Sequence, residues 1–222
     1  MIQTMPPKLF EEIQKRLRTR SLIGEEGWYS GSDEEDTLTG DYCSSLRSSW
    51  KKRKFEKENW AWRITYTKFR SKGRDAEEKI LGADGIVQLE LINEQSKTLE
   101  AKGLLFQAKK TGNRDWAKLK EQCESMEKIA KNCSAVFEYG EEQYVAYSAR
   151  QLILSTAIDR DRIRIGDYLA DRFMACSVGK RGLYYDAVRH VLIVPHATSG
   201  VIQMRLRLKH RLKIEVRKQG KF

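Results

Sequence analysis

The sequence predicts an α/β or α+β sandwich built on a mixed central sheet, and three observations carry that reading. WAWRITYTKFR, from Trp60, is rich in aromatic and β-branched residues and alternates as a strand does. GADGIVQLELIN and TLEAKGLLFQAKK are two more strand-like segments joined by a short turn at Glu94 to Ser96. After them, Trp116, Leu119, Cys123, Met126 and Ala130 fall on one stripe at helical spacing. Helix, three strands, helix, two strands is an order that stacks helices on a sheet.

Taken in order, Leu9, Ile13 and Leu17 lie four apart and predict a short amphipathic helix from Lys8 to Arg20 with a basic outer face. GEEGWYSGS reads as a loop. A second helix is expected from Asp33 to about Trp50, since Ser32 and Glu35 have capping-box spacing and acidic residues 33–36 suit a helix N-terminus. KKRKFEK, Lys51 to Lys57, then reads as a solvated helix end, with contact to a DNA backbone as the alternative. The helix after the three strands spans about Asn113 to Lys131, followed by SAVFEYG and QYVAYSARQLILS as strands. GDYLADRFMACS predicts a helix, Gly179 to Gly182 a turn, and His190 to Val194 a short strand.

From Met204 to Arg217 the even positions are Met, Leu, Leu, His, Leu, Ile and Val, and the odd ones are cationic except Glu215. Period two makes this a strand with one apolar and one cationic face. It is either an edge strand protected by its charges or a phosphate-contacting strip of Arg205, Arg207, Lys209, Arg211 and Lys213.

At 222 residues the chain suits one unit: an N-terminal helix and loop at 1–31, a core at 32–150, and an α+β extension at 151–222 packed on that core and ending in the basic strand. The excess of 42 Lys and Arg over 31 Asp and Glu gives a net charge of +11. Such a charge favours a polyanion such as nucleic acid as partner, through counterion release. No apolar run has the length of a membrane span, and the first residues hold no apolar stretch for a secretory signal, so a cytoplasmic location is expected. Cys43, Cys123, Cys133 and Cys176 lack metal-ligand spacing and read as reduced, mostly buried residues, with Cys176 read as a core residue beside Phe173. His190, His196 and His210 show no HxxxH or Cys partner pattern, which argues against zinc catalysis. No GxxxxGK[ST] run is present.

Function is concentrated in the hairpin. If its turn is centred between Gln95 and Ser96, positions summing to 191 face each other, and Asp84 lies opposite Gln107. Lys109 shares their face. Val87, Leu89, Leu91, Leu104, Phe106 and Ala108 then form an apolar layer on the other side. A carboxylate, an amide oxygen and backbone carbonyls are hard ligands suited to Mg²⁺, and a neighbouring ammonium can orient the attacking water or offset transition-state charge. Together they form a set suited to phosphodiester hydrolysis. Each residue also has a plain role: Asp84 as a turn residue, Gln107 and Lys109 as a solvated strand face.

With its GADG strand, QAKK strand and flanking helices, the span from Ser32 to Ser148 resembles the PD-(D/E)XK nuclease superfamily, in particular its Mrr-like restriction endonuclease branch, which often carries Gln-x-Lys. The resemblance implies a restriction-endonuclease-like αβββαβ core and a metal-dependent endonuclease acting on double-stranded DNA. The implied cofactor is Mg²⁺, for which Mn²⁺ can substitute. It also implies an acidic residue from the helix before the first strand. Glu35 is the choice here, because it shares a face with Leu38, Tyr42 and Leu46, with Glu34 and Asp36 as alternatives. Asp84, Gln107 and Glu35 would hold the metal and Lys109 would assist the nucleophile. Gln107 in place of a carboxylate lowers the charge on the metal, and some members of the fold have lost activity, leaving a nucleic-acid-binding subunit as the alternative; an RNA substrate also stays open. FMACSVGKRGLYYD and HVLIVP are similar to the C-terminal part of bacterial defence nucleases. That similarity implies an antiphage or restriction role, as a homo-oligomer or a subunit of a defence complex.

Overall fold

A computed structural model of the chain describes residues 5–31, 34–55, 58–69, 81–112, 115–154, 161–196, 198 and 200–219. It is a mixed α/β structure around one large sheet. Helix α1 (Pro7–Glu25) starts at a proline in its first turn, where a missing N–H leaves no helical bond unmade. It buries Leu9, Ile13 and Leu17. The expected loop holds a single helical turn, α2 (Trp28–Gly31). Helix α3 (Glu35–Ser45) buries Leu38 and Tyr42, and Glu34 stands at its N-cap without a side-chain cap bond. Ser32, the expected cap, lies outside the described residues.

The helix expected to reach Trp50 stops at Ser45, and positions 51–55 of the basic run belong to strand β1 (Ser48–Phe55), not to a helix end, while 56 and 57 lie outside the described residues. Strands β2 (Glu58–Lys68), β3 (Gly85–Ile92) and β4 (Thr98–Lys110) follow, then helix α4 (Trp116–Ile129), capped by the Asp115 carboxylate on the Lys118 N–H at 3.1 Å. Strands β5 (Ser134–Tyr139) and β6 (Tyr144–Ser148) are as expected. The second half of QYVAYSARQLILS, however, forms helix α5 (Ala149–Leu154). After β7 (Ile163–Arg164), Ile165–Asp167 is α-helical and Tyr168–Phe173 continues as a π-helical turn. Strands β8 (Lys180–Arg181), β9 (Tyr184–Asp186), β10 (Val191–His196), β11 (Gly200–Arg205) and β12 (His210–Gln219) complete the chain.

The sheet runs β1-β2-β12-β3-β4-β5-β6-β7, with β8 beside β4, while β9, β10 and β11 form a separate three-stranded sheet. Strand β12 therefore lies in the middle, antiparallel to β2 and parallel to β3. This corrects the edge-strand reading of the final segment and the expected limit of the core at residue 150. It is no edge strand, and the stretch expected as an extension packed on the core supplies a central strand of the core sheet. Nor is Met204 to Arg217 one strand, because β11 ends at Arg205 and β12 begins at His210.

Both faces of the sheet are covered, so β3 is buried along its whole length, as parallel pairing requires. One face packs Val87, Leu89, Leu104, Phe106, Leu212, Ile214 and Val216 against α1, α3 and the π-helical turn, with Phe106 and Phe137 stacked at 4.6 Å. The other packs Ile86 and Leu105 against Leu119, Cys123 and Met126 of α4 and against Leu183, Tyr185 and Leu192. Cys43, Cys123 and Cys133 are buried as expected, but Cys176 is exposed, at the left-handed φ of 64°, and is no core residue. Among the described residues no helix is long and apolar enough to cross a membrane.

Candidate metal and phosphodiester site

The β3–β4 hairpin has the register expected of it. Gly85 faces Phe106, Val87 faces Leu104 and Leu91 faces Glu100, every pair summing to 191 until an irregularity before Ile92. Ser96 takes the turn's left-handed φ of 61°. One residue before β3, the Asp84 N–H donates to the Phe106 carbonyl at 2.9 Å, which seats the aspartate beside Gln107.

The two glycines around Asp84 are required by backbone approach. Gly82 has φ 70°, and a Cβ there would fall 2.3 Å from the Gln122 carbonyl oxygen of α4. A Cβ on Gly85 would fall 2.5 Å from the Phe106 ring and 2.6 Å from the His210 carbonyl oxygen. Helix α4 and strands β4 and β12 thus close on this loop from three sides and fix the position of Asp84.

Asp84 is held by three elements. Its Oδ2 accepts from Gln107 Nε2 at 2.5 Å and from the Ala108 N–H at 2.9 Å. Its Oδ1 faces Lys209 Nζ at 3.5 Å. Its main-chain carbonyl accepts from the N–H groups of Lys209 and His210 at 3.0 and 3.1 Å. Burial pushes the Asp84 carboxyl above the usual carboxylate range, as does Glu35, against the bond from the Ala108 N–H and the charges of Lys209 and Lys109. A carboxylate so desolvated gains from any added cation.

Lys109 continues the strand and meets Glu35 across the sheet end, Nζ to Oε2 at 3.4 Å. The other oxygen of Glu35 accepts from the Lys110 N–H at 3.3 Å. Of the three acidic candidates on α3, Glu35 is therefore the one at Lys109. Asp36 instead pairs with Lys68 and accepts from His210 Nε2 at 2.9 Å. Burial works to raise the Asp36 carboxyl, yet Lys68 and His210 together hold it below its ordinary value. Glu34 is exposed.

The proposed phosphate strip is not a strip. Arg205 and Arg207 are exposed, Lys209 turns to Asp84, and Arg211 is half-buried over the Phe69 ring. Lys213 pairs with Glu215 at 2.9 Å and Glu90 at 3.7 Å. Lys213 and Glu215 of β12 are thus paired with each other, and Glu215 is bound by Arg63 as well.

Sequence reasoning missed Lys209 as a partner of Asp84 and gave His210 no role. His210 is buried, with Nε2–H donating to Asp36 and Nδ1 accepting from the Tyr66 hydroxyl at 2.8 Å. Burial pushes its pKa down to about 4 despite Asp36, so the ring is neutral near pH 7. The signal was present: a lone polar residue among the leucines of an apolar strand face needs partners.

A metal fits this site in donor type and less well in charge. Asp84, Glu35, the Gln107 amide oxygen and the Ala108 carbonyl are oxygen donors of the kind Mg²⁺ takes. Gln107, however, turns its NH₂ toward Asp84 Oδ2 and the Ala108 carbonyl, 2.5 and 3.2 Å away. The amide would present its own oxygen to a cation only after rotating. Among the described residues no group of three or more His, Cys, Asp or Glu side chains could hold a metal ion. No protein-family model matches the chain, and no curated protein or solved structure matches it either.

Proposed function

We propose that the chain is a Mg²⁺-dependent nuclease, most simply an endonuclease acting on double-stranded DNA. The observation that carries this reading is convergence. Glu35 comes from helix α3, Asp84 from the loop just before β3, and Gln107 and Lys109 from β4, and they meet at one end of the sheet, joined by the contacts from Asp84 to Gln107 and from Lys109 to Glu35. A desolvated carboxylate beside two lysines is a cluster of the kind a phosphodiester site uses.

Bound Mg²⁺ would supply Lewis-acid stabilisation of the phosphate oxygens. The chain's own groups do the rest. Asp84, with Glu35 and the Gln107 amide oxygen, would hold the ion. Lys109 is 14% exposed and directed along the sheet end, where it orients the attacking water and offsets charge on the transition state. The net charge of +11 draws in the polyanionic substrate.

Supercoiled plasmid, linear duplex and single-stranded RNA, each incubated with Mg²⁺ or Mn²⁺ and with EDTA, test the substrate class. Nicking or cutting of DNA that EDTA abolishes is the expected result. Cleavage of RNA alone would move the reading to a ribonuclease. A specific observation favours a second reading: Gln107 NH₂ and Lys209 together satisfy Asp84 without a metal. On that reading the fold holds nucleic acid without cleaving it, and binding is salt-sensitive and indifferent to EDTA.

A further inference from the structure

Lys209 belongs to no part of the catalytic set, yet its ammonium stands on the outer oxygen of Asp84. Oδ2 is occupied from β4, by Gln107 and by the Ala108 N–H, which leaves Oδ1 as the side from which a cation would arrive. At 3.5 Å the ammonium is well beyond the ~2.8 Å of a tight charge-assisted bond. The main chain of Lys209 is pinned, since its N–H and that of His210 both donate to the Asp84 carbonyl. The four-carbon side chain, 33% exposed, can therefore swing while its root stays at the site.

Charge decides which lysine gives way. Asp84 and Glu35 carry two negative charges against two positive ones on Lys109 and Lys209, so the cluster is neutral before any metal enters. A divalent ion entering a neutral, partly desolvated cluster is accommodated at lower cost if a positive charge leaves. Lys109 is 14% exposed and bound to Glu35, whereas Lys209 is the more exposed of the two and lies in the connector that carries the exposed Arg207 and follows the exposed Arg205 at the end of β11.

We propose that Lys209 is an exchangeable counter-ion: it balances Asp84 in the metal-free protein and transfers to a substrate phosphate when a divalent ion takes its place. The inference rests on the nuclease reading. It makes metal and nucleic acid bind cooperatively, because each draws the ammonium away from, or releases it to, the other's site, and such coupling is reciprocal.

Calorimetric titration of the full chain with Ca²⁺, used in place of Mg²⁺ to suppress turnover, tests this with and without a short DNA duplex. Wild type is expected to bind Ca²⁺ about tenfold more tightly when duplex is present. Lys209→Met is expected to bind Ca²⁺ about tenfold more tightly than wild type without duplex, to gain almost nothing when duplex is added, and to cleave DNA more slowly in Mg²⁺. Lys209→Arg keeps the charge and should restore the coupling, which separates exchange from a mere packing role. If Lys209→Met leaves Ca²⁺ affinity unchanged or weaker while Asp84→Asn abolishes it, the exchange is wrong and the nuclease reading stands. If neither wild type nor Lys209→Met takes up metal in a manner that Asp84→Asn removes, the nuclease reading fails and the exchange with it.

Discussion

Lowering the pH from about 7 to about 4.5 should destabilise this protein through one buried ring. His210 is surrounded by Asp36 from α3, by Tyr66 and Lys68 from β2, and by its neighbour Lys209. Burial brings its pKa to about 4 in the folded chain, against 6.5 ordinarily. As pH falls, the unfolded chain takes up the proton first, so stability declines between those two values and levels off below the lower one. The difference corresponds to roughly 3 kcal/mol, a large fraction of the stability of an ordinary domain. Asp36, held below its ordinary 3.8, adds its loss only at still lower pH. Asp84, raised by burial, acts in the opposite direction, favouring the folded state as it is protonated. Urea unfolding of wild type and His210→Gln across this range measures the effect. The glutamine can still donate to Asp36 and accept from Tyr66 but does not titrate. Its profile should be flatter by most of the 3 kcal/mol; parallel profiles would refute the assignment.

Gly82→Ala should destabilise by about 2–3 kcal/mol in chemical denaturation, because a Cβ meets the Gln122 carbonyl at a left-handed φ. Gln107→Glu sets a second carboxylate against Asp84 Oδ2. It should lower metal-free stability by about 2 kcal/mol, with Mg²⁺ restoring thermal stability; equal melting with and without Mg²⁺ would count against a metal at this site. Arg205→Ala and Arg207→Ala should each reduce the salt slope of DNA binding by about one. Lys213→Ala should leave that slope alone and instead reduce stability, since Lys213 is engaged with Glu90 and Glu215.

The hairpin was legible because two constraints agree there. Alternating apolar residues on both strands and a short polar turn admit one register, and a slip by one would turn Val87, Leu89, Leu104 and Phe106 away from their core. Strand β1 was not legible: KKRK carries no apolar alternation, because this edge of the sheet is solvated. The run after Ser148 was read as strand because a short apolar stretch does not distinguish strand from helix. The period-two pattern from Met204 onward misled for another reason. Leu206 and Leu208 pack on one side of the sheet and Leu212, Ile214 and Val216 on the other, so the alternation continues through a connector that changes sides. Placement of β12 beside β3 depends on pairing across more than a hundred residues, which no local pattern encodes. With that pairing unknown, the contact between Lys209 and Asp84 could not be foreseen.

The most direct test of the central claim is nicking of supercoiled plasmid in Mg²⁺ by wild type, Asp84→Ala and Lys109→Ala, with folding of each checked by circular dichroism. Both substitutions should lower the rate by at least about a hundredfold, the scale on which removing one electrostatic or proton-handling group acts, while both proteins still bind DNA. Wild-type rates in either folded variant would contradict the assignment of this site.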